Sequence, residues 1–452
     1  MARMADIRVA VVGAGPAGLY AAEALIAQTD GNVQVDVLDR LPSPYGLVRY
    51  GVAPDHTSIK SIARYLQRVL EHPAVRFFGC VELGSDVTRR ELLDCYDAVV
   101  YCTGAAVDRR LGVPGEDLPG SVAATDFVNW YCGHPDAAEH DFDLSVEEVA
   151  VIGVGNVAVD VVRILAKSAE ELRDTDIPEH VIEALAASRV RRVHLIGRRG
   201  PAQAKFTTKE VRELGELANA EIHVRPQDLE SDPASAEAAE RDRRVRGNLA
   251  ALRAWTGPPA GDRPRRIDVR FWLAPVEILG TRRVEGLRLE RTAPQGDGRV
   301  RGTGEFETLP VGMVVRSVGY QSVPLPGLPF DERSHVVPNE GGRIVDASGR
   351  RVPREYVAGW IKRGPTGVVG TNKSDAAETV ANLLADLTAD PDRPPPRRRI
   401  EDLLESRACR VVTYADWLNL DAAERDLARR LNRGERVKLG GWEAMRAACH
   451  PR

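Results

Sequence analysis

The stretch that decides the fold is Ile7–Gly18, with the sequence IRVAVVGAGPAG. Its first six residues are almost all apolar and predict a buried parallel strand. The glycines that follow have the spacing G-x-G-x-x-G, and an Ala/Leu-rich stretch to about Ala27 predicts a helix. In this context Gly13 permits a tight turn, Gly15 lets a pyrophosphate approach the backbone, and Gly18 lets the helix pack on the strand. The pattern therefore predicts a nucleotide site, with phosphates at the helix N-terminus.

The residue after the next strand narrows the choice of nucleotide. A second predicted strand, Val33–Leu38, ends in Asp39, 21 residues beyond Gly18. A carboxylate at this place binds ribose hydroxyls and disfavours a 2′-phosphate. The first site therefore favours FAD or NAD over NADP.

A second glycine turn follows residues 148–152, which predict another strand. The turn, Gly153-Val154-Gly155-Asn156-Val157-Ala158, has the G-x-G-x-x-A variant of the same pattern. The next matching strand, 193–196, arrives late because an extra segment around 176–188 intervenes.

Two arginines, Arg198 and Arg199, follow that strand, and no acid is present. A guanidinium suits a 2′-phosphate, so the second site predicts NADPH; a solvated surface turn is the alternative interpretation. Two different dinucleotides in one chain indicate hydride transfer from NADPH to a flavin, which can release its electrons singly.

Composition and cysteines exclude several other classes of protein. Of 452 residues 43% are hydrophobic and 28% charged, and the net charge of −4 does not favour nucleic acid as a partner. The six cysteines form no C-x-x-C pair and no iron–sulfur spacing, which argues against a dithiol reductase. We expect no bound metal. The apolar stretch 7–27 lacks a basic n-region with a cleavage site, so we expect a cytoplasmic protein without membrane insertion.

Further runs of sequence are spread along nearly the whole chain: Pro44–Arg49, Gly51–His56, Val113–Gly120, Gly155–Ala158, Gly197–Pro201, Phe206–Glu210, Ser317–Tyr320 and Gly359–Gly367. In their order and spacing these runs resemble one known family, the adrenodoxin-reductase-like ferredoxin–NADP reductases, in particular their actinobacterial members.

The resemblance implies an α/β fold of two Rossmann-like, glutathione-reductase-like domains, with the NADP domain inserted into the FAD domain. The FAD domain would comprise residues 1–107 and 324–452, with a tail after a Pro/Arg linker at 390–399, and the NADP domain residues 108–323. The activity implied is that of an NADPH:ferredoxin oxidoreductase, in which a hydride passes from NADPH to FAD and single electrons pass from FAD to an iron–sulfur ferredoxin. A cytochrome P-450 is one candidate for the final consumer of these electrons.

The resemblance also implies which residues bind each cofactor. FAD would contact Ala14, Asp39, Leu47, Val81, Trp360, Gly367, Val368 and Val369, in addition to the first glycine turn. NADP would contact Val154, Gly155, Asn156, Val157, Arg198, Arg199 and Glu210. Gly367 is expected to face the nicotinamide too, because only glycine lets two flat rings approach there.

Two polar residues are candidates for catalysis. His56 lies in a loop near the expected flavin edge, and Glu213 follows Glu210 by three residues, on the same helical face. Our hypothesis is that His56 and Glu213 orient the nicotinamide amide and handle protons; the alternative is a packing histidine and a surface acid. Asp160 and Arg163 are interpreted as packing and surface residues.

Arginines between 241 and 253 predict a broad basic helical face, which includes Arg241, Arg243, Arg244 and Arg246. In the family this region docks an acidic iron–sulfur protein, and complementary charge speeds such encounters. The alternative is a solvated face. For the whole chain, a flavin-dependent NADPH oxidoreductase with another acceptor, such as a monooxygenase, and a low-turnover NADPH-sensing flavoprotein also stay open.

Overall fold

The computed structural model describes residues 7–229, 233–258, 261–296, 298–391, 393 and 395–451. Residues 1–6 of the predicted FAD domain and residues 392 and 394 of the predicted linker lie outside this description. The strands of the described chain are β1 Ile7–Val12, β2 Val33–Asp39, β3 Val75–Gly79, β4 Ala98–Tyr101, β5 Val107–Asp108, β6 Ser121–Ala123, β7 Glu148–Ile152, β8 Arg192–Ile196, β9 Ala220–Val224, β10 Arg265–Arg270, β11 Leu273–Leu279, β12 Gly286–Pro294, β13 Val300–Leu309, β14 Met313–Arg316, β15 Tyr320–Gln321, β16 Asn339–Glu340, β17 Arg343–Val345 and β18 Arg351–Val357.

The α-helices of the described chain connect and cover these strands. They are α1 Pro16–Gln28, α2 Leu47–Tyr50, α3 Thr57–Lys60, α4 Ile62–Leu70, α5 Arg89–Cys95, α6 Ala124–Tyr131, α7 Asn156–Ala166, α8 Ala169–Leu172, α9 Glu179–Ala186, α10 Thr208–Leu214, α11 Pro233–Arg241, α12 Arg243–Arg253, α13 Trp360–Arg363, α14 Thr371–Ala389, α15 Ile400–Ser406, α16 Tyr414–Arg430 and α17 Trp442–Cys449. Short 3₁₀ helices cover Pro135–Ala137, Pro201–Gln203 and Pro226–Leu229.

Two large sheets organise the chain. The first has the order β16-β17-β18-β4-β1-β2-β3, with a parallel core from β18 to β3. The second has the order β6-β14-β7-β8-β10-β9 and is parallel throughout. The first sheet takes its strands from both ends of the chain and the second from the middle, so one unit is inserted into the other.

The hydrophobic cores separate in the same way. The largest cluster of the second unit draws every buried member except Ala53 from between Ala124 and Val315. The clusters under the first sheet use only residues up to Cys102 and from Leu328 onward. At the crossing, β5 pairs with β15 antiparallel. These observations bracket the predicted domain limits at 107/108 and 323/324, which stay a prediction.

Strand register places the first glycine of each turn beside the end of the neighbouring strand. Val12 lies opposite Leu38, so the backbone N–H of Gly13 donates to the Leu38 carbonyl at 2.7 Å. In the second unit Ile152 lies opposite Ile196, and Gly153 N donates to the Ile196 carbonyl at 2.9 Å. The residues after Leu38 and Ile196 therefore lie beside the glycine turn of each unit.

The described part of the Pro/Arg linker has no regular secondary structure and lies against the first unit. Arg393 pairs with Asp97 at 3.1 Å, and the Arg397 N–H donates to the Asp94 carbonyl at 2.8 Å. No helix of the described chain is long and apolar enough to cross a membrane.

Candidate active site

Sterics explain the glycines of the first turn. Gly13 has φ +110°, and a Cβ there would lie 2.6 Å from the Cys102 carbonyl oxygen. A Cβ on Gly18 would lie 1.9 Å from the Gly13 carbonyl oxygen, because helix α1 packs closely on the turn. A Cβ on Gly15 would meet only the Gly46 Cα, at 3.8 Å, so protein packing does not demand glycine there. The open backbone at Gly15 fits the approach of a pyrophosphate.

Asp39 is held at the tip of β2 by backbone donors. Its carboxylate accepts N–H bonds from Ala14 at 2.7 Å and from Leu41 at 2.9 Å. Burial raises the pKa of Asp39, and these two hydrogen bonds lower it in part. The carboxylate is thus fixed beside the glycine turn, in the place where ribose hydroxyls are bound.

The other predicted flavin contacts lie at the same edge of the first sheet. The Val81 N–H donates to the Asp39 carbonyl at 2.9 Å, and Leu47 begins helix α2. Trp360 begins α13, directly after β18, and its ring lies 5.6 Å from the Tyr320 ring. Parallel strands end at one edge, so all these residues lie along the carboxyl ends of β1, β2, β3 and β18.

The loop after Trp360 carries the remaining three predicted contacts. Gly367 has φ +84°, and a Cβ there would lie 2.7 Å from the Thr371 Oγ1. Val368 is 66% exposed, whereas Val369 packs partly against the first core. Glycine at 367 is therefore required by the loop itself, and its predicted approach to a nicotinamide stays a prediction.

The second turn repeats this geometry with one added anchor. A Cβ on Gly153 would lie 2.0 Å from the Ser317 carbonyl oxygen, and one on Gly155 would meet nothing within 4 Å. Asn156 Oδ1 accepts the Thr207 N–H at 2.8 Å, and Ala158 is fully buried. The open backbone at Gly155 fits a second pyrophosphate, while Asn156 joins the turn to helix α10.

Val154 and Val157 line the two sides of this turn. The Val154 carbonyl accepts the Lys205 N–H at 2.8 Å and the Phe206 N–H at 3.2 Å. Val157 is partly buried against the core of the second unit.

Arg198 and Arg199 extend from β8 without a protein partner. Their backbone carbonyls accept bonds from Thr292 Oγ1 at 2.8 Å and from the Trp272 N–H at 3.3 Å. Neither guanidinium forms a hydrogen bond or ion pair with any described residue, although arginines elsewhere are extensively paired. The two guanidiniums are therefore available to an anionic ligand beside the second turn.

His56 is buried between the two units, in contact with three carboxylates. Its Nε2 lies 3.0 Å from Asp160 Oδ1 and 3.0 Å from Glu210 Oε2. Its Nδ1 lies 3.7 Å from Glu213 Oε2. The structure thus brings together the predicted pair, His56 and Glu213, and adds Asp160, which the sequence did not single out for the site.

Arg163 is the centre of this cluster and is buried, so that it is not a surface residue. Its guanidinium is 3% exposed and lies 2.8 Å from Asp55, 2.7 Å from Asp160 and 3.5 Å from Glu210. Lys167 also pairs with Asp55, at 2.7 Å. The i, i+3 spacing of Asp160 and Arg163 on helix α7 was the available signal, but their burial depends on the loop of the other unit that packs over them.

Known proteins that are similar in sequence and structure show the family of this chain. Residues 7–228 match the family model described as pyridine nucleotide-disulphide oxidoreductase. The NADPH-ferredoxin reductase FprA of Mycobacterium tuberculosis H37Rv is 44% identical over 92% of this chain and 93% of its own. The mitochondrial NADPH:adrenodoxin oxidoreductase of Arabidopsis thaliana is 40% identical over 98% of this chain and 95% of its own. A solved structure of M. tuberculosis FprA in complex with NADPH aligns with a TM-score of 0.92 at 43% identity, covering 98% of this chain and 99% of that chain.

The chain belongs to the adrenodoxin-reductase-like ferredoxin–NADP reductases. This reductase is an oxidoreductase that uses FAD and NADP. The predicted family, the fold class and both cofactors are confirmed. The individual site residues stay predictions, supported by the geometry of the two turns.

The pKa of the His56 side chain is set by the charged groups around it. Burial lowers the pKa of His56, but hydrogen bonds to Asp160 and Glu210 outweigh this effect and raise the pKa to about 9. Arg163, which also contacts Nε2, lowers the pKa by a smaller amount. In this reductase the carboxylates therefore favour the imidazolium form of His56 at neutral pH.

His56, Glu210 and Glu213 also have the spacing of a metal site, since their ligand atoms lie within 4.8 Å of one another. The Arg163 guanidinium, however, contacts both His56 Nε2 and Glu210. A second cation would be repelled by this fixed positive charge. We therefore interpret the three residues as a proton-handling group.

The basic helical face differs from its prediction. Asp242 separates two helices, because its carboxylate accepts the N–H groups of Arg244 and Val245 and caps α12. Arg241 pairs with Glu237, and the Arg244 guanidinium donates to the Ala204 carbonyl at 2.7 Å.

These contacts leave a groove, which we call the basic groove. It is lined by Thr208, Arg212, Arg243, Arg244, Arg246, Gly247 and Ala250. The Arg246 guanidinium donates to the Ala239 and Glu240 carbonyls, whereas Arg212 and Arg243 pair with no described residue. Arg212 was not predicted as part of this surface, because α10 is distant from α12 along the chain.

Proposed function

We propose that this reductase is an NADPH:ferredoxin oxidoreductase. The observation that carries the proposal is the contrast between the two strand tips. A carboxylate fixed by backbone donors, Asp39, lies beside the first turn. Two guanidiniums, those of Arg198 and Arg199, lie beside the second turn and pair with none of the residues that the structure describes. A relative of 44% identity is named as an NADPH-ferredoxin reductase, which supports a ferredoxin as the acceptor.

The residues of the two turns divide the binding work. Gly13, Gly15 and Gly18 hold the FAD pyrophosphate against α1, and Asp39 binds the ribose hydroxyls. Gly153, Gly155 and Asn156 do the same for NADPH on α7, with the 2′-phosphate held by Arg198 and Arg199.

When bound, the flavin accepts the hydride of NADPH and passes on two electrons singly, which requires protons to move. His56 holds a proton at Nδ1, 3.7 Å from Glu213. The Glu213 side chain is 24% exposed and forms the link from the buried histidine to water. Glu210 and Asp160 keep His56 charged and oriented, so we assign proton handling to His56 and Glu213.

We propose that an acidic ferredoxin docks at the basic groove. Arg212 and Arg243 are exposed and unpaired among the described residues, so their charge is available to a partner. Arg241, Arg244 and Arg246 add to the positive potential, although each is anchored to its own helices. Such charge raises the association rate and makes it sensitive to salt.

A cytoplasmic location is part of this proposal. All six cysteines are free thiols, which is typical of a reducing compartment. An acceptor that is itself an intracellular iron–sulfur protein agrees with this location.

The proposal is tested with purified holoenzyme. We expect a yellow protein that NADPH bleaches under anaerobic conditions, and rapid cytochrome c reduction only after ferredoxin is added. A yellow protein that NADPH does not bleach would contradict the reductase and favour an NADPH-sensing flavoprotein. Bleaching without any ferredoxin-dependent reduction would point to another acceptor.

A further inference from the structure

The C-terminal helices belong to the first unit by their packing. Trp417 and Leu420 of α16, and Met445 and Cys449 of α17, are buried in the core under the first sheet. Between these two helices the chain stays attached to α16, where Arg436 pairs with Asp421 at 2.5 Å, and also runs along the second unit. We call this segment, Arg433–Lys438, the strap.

Arg433 attaches the strap to the extra segment between α7 and β8. Its guanidinium donates to the Arg173 carbonyl at 2.8 Å and to the Ile177 carbonyl at 3.0 Å, and pairs with Glu179 at 2.7 Å. The Arg433 side chain is 1% exposed. A planar fork that satisfies several buried carbonyls is a geometry that only arginine offers.

Lys438 joins both units at one buried atom. Its ammonium donates to the Arg49 carbonyl of the first unit at 2.6 Å and to the Cys132 carbonyl of the second at 2.9 Å. It also lies 3.2 Å from the Asp176 carboxylate, which pairs with Lys60 of the first unit at 2.6 Å. The Lys438 side chain is 1% exposed, and a buried cation persists only where such partners hold it.

The backbone of the strap is equally close to the second unit. A Cβ on Gly434 would lie 2.3 Å from the Asp174 carbonyl oxygen. The Lys438 N–H donates to the Asp176 carbonyl at 3.2 Å. The extra segment that delays β8 in the sequence is therefore the surface on which the strap lies.

We propose that Arg433 and Lys438 are positioning residues for hydride transfer, because the strap fixes the NADP-binding unit against the FAD-binding unit. This inference rests on the proposed function. FAD and NADPH are held by different sheets, so the distance between their reacting rings depends on how the two units are set. A displacement of about 1 Å at a reacting centre can cost about a hundredfold in rate.

The test compares Arg433→Met and Lys438→Met with Arg430→Met, which removes an exposed arginine of α16 that has no partner among the described residues. The measurement is the single-turnover rate of flavin bleaching by saturating NADPH in holoenzyme. We expect both strap variants to slow by about tenfold or more, with weaker long-wavelength absorbance from the stacked nicotinamide and flavin. FAD content and reduction by dithionite should match those of Arg430→Met, and Arg433→Lys should recover part of the rate.

Rates equal to that of Arg430→Met in both strap variants would overturn the proposal. If a strap variant loses FAD, Glu179→Gln and Asp176→Asn take its place in the test, because they weaken the same contacts at the residues of the second unit. A smaller slowing is then expected, and an unchanged rate in both would again overturn it. Wild-type holoenzyme that NADPH fails to bleach would contradict the proposed function instead, so the two failures are distinguishable.

Discussion

At the scale of single residues, we propose that the side chains near the ends of β2 and β8 select the dinucleotide that each unit binds. Asp39 lies one residue beyond Leu38 and Arg198 two residues beyond Ile196, and Leu38 and Ile196 pair with the last residue of the strand before each glycine turn. Asp39 is restrained by two N–H donors, whereas Arg198 and Arg199 pair with no described residue. We therefore expect the second site to prefer a coenzyme with a negatively charged 2′-phosphate over one without it.

The double variant Arg198→Ala/Arg199→Ala should lose its preference for NADPH. A hydrogen bond to a charged group contributes about 1.5–3 kcal/mol, so kcat/KM for NADPH should fall roughly 10- to 100-fold. The value for NADH should hardly change, because it has no 2′-phosphate. Steady-state kinetics with both coenzymes measure the ratio.

Arg191→Ala is the matched control, since Arg191 is exposed just before the opposite end of β8. It should leave the ratio of the two kcat/KM values unchanged. An equal loss with NADPH and NADH in the double variant would contradict a 2′-phosphate contact.

His56 should make stability depend on pH in a defined direction. Its pKa is raised from 6.5 to about 9 in the folded chain, so its charged contacts with Asp160, Glu210 and Glu213 stabilise the fold fully below pH 6.5. That contribution is lost as the pH rises through 9, although Arg163 stays charged. The free-energy difference between wild type and His56→Gln should therefore shrink from pH 6 to pH 9.5, as measured by urea unfolding.

His140→Gln supplies the comparison, because His140 is exposed and has no carboxylate partner among the described residues. Its difference from wild type should not vary with pH in the way that His56→Gln does. A constant difference for His56→Gln over this range would show that folding does not shift the pKa of His56.

The sequence allowed part of this cluster to be predicted. His56 and Glu213 could be selected from a loop motif and from helical spacing. Arg163 and Asp55 could not, because an arginine on an amphipathic helix is ordinarily exposed. The packing of the 55–56 loop of one unit on α7 of the other covers Arg163 and adds Asp55 to the two carboxylates of its own unit, Asp160 and Glu210.

At the scale of elements, helices α10 and α12 together form the basic groove. A helix periodicity predicted one continuous face, but Asp242 ends that face by capping α12. Two arginines that differ in pairing then become distinguishable: Arg244 donates to the Ala204 carbonyl, and Arg243 is free among the described residues. Charge reversal at Arg244 would disturb the fold as well as docking.

Reversal of Arg212 and Arg243 to Glu should raise KM for ferredoxin on the order of tenfold at low salt, because steering by complementary charge changes association rates by this order. Ferricyanide reduction, which needs no docking, should be spared. Ferredoxin-dependent cytochrome c reduction over a range of ionic strength measures the effect, which should fade as salt rises.

The double variant Arg191→Glu/Arg282→Glu is the control for net charge, since both arginines are exposed and neither side chain has a partner among the described residues. It should leave KM for ferredoxin nearly unchanged. The same KM in wild type and in the Arg212→Glu/Arg243→Glu variant would place the docking surface elsewhere.

At the scale of the whole molecule, the two glycine turns are local patterns and predicted the duplicated nucleotide fold, whereas the insertion of one unit into the other was implied by the family resemblance. The strap could not be predicted in this way. Arg433 and Lys438 lie in a short polar stretch of a chain that is rich in arginine. Their burial arises only when the ends of the chain return to the first sheet and bring the tail across the second unit.

The separation of the cores predicts how fragments of the chain behave. Residues 108–323 contain the whole second sheet and nearly all of its core, so this fragment should fold alone and be stabilised by NADP⁺. Residues 1–323 lack β16, β17 and β18 and the helix α14 that packs on α1. They should therefore fail to retain FAD.

Circular dichroism, melting with and without NADP⁺, and flavin absorbance after gel filtration measure both outcomes, with the full chain as control. A yellow 1–323 fragment, or an unfolded 108–323 fragment, would show that the domain limits are misplaced, since a unit that contains its own core should not depend on the rest of the chain.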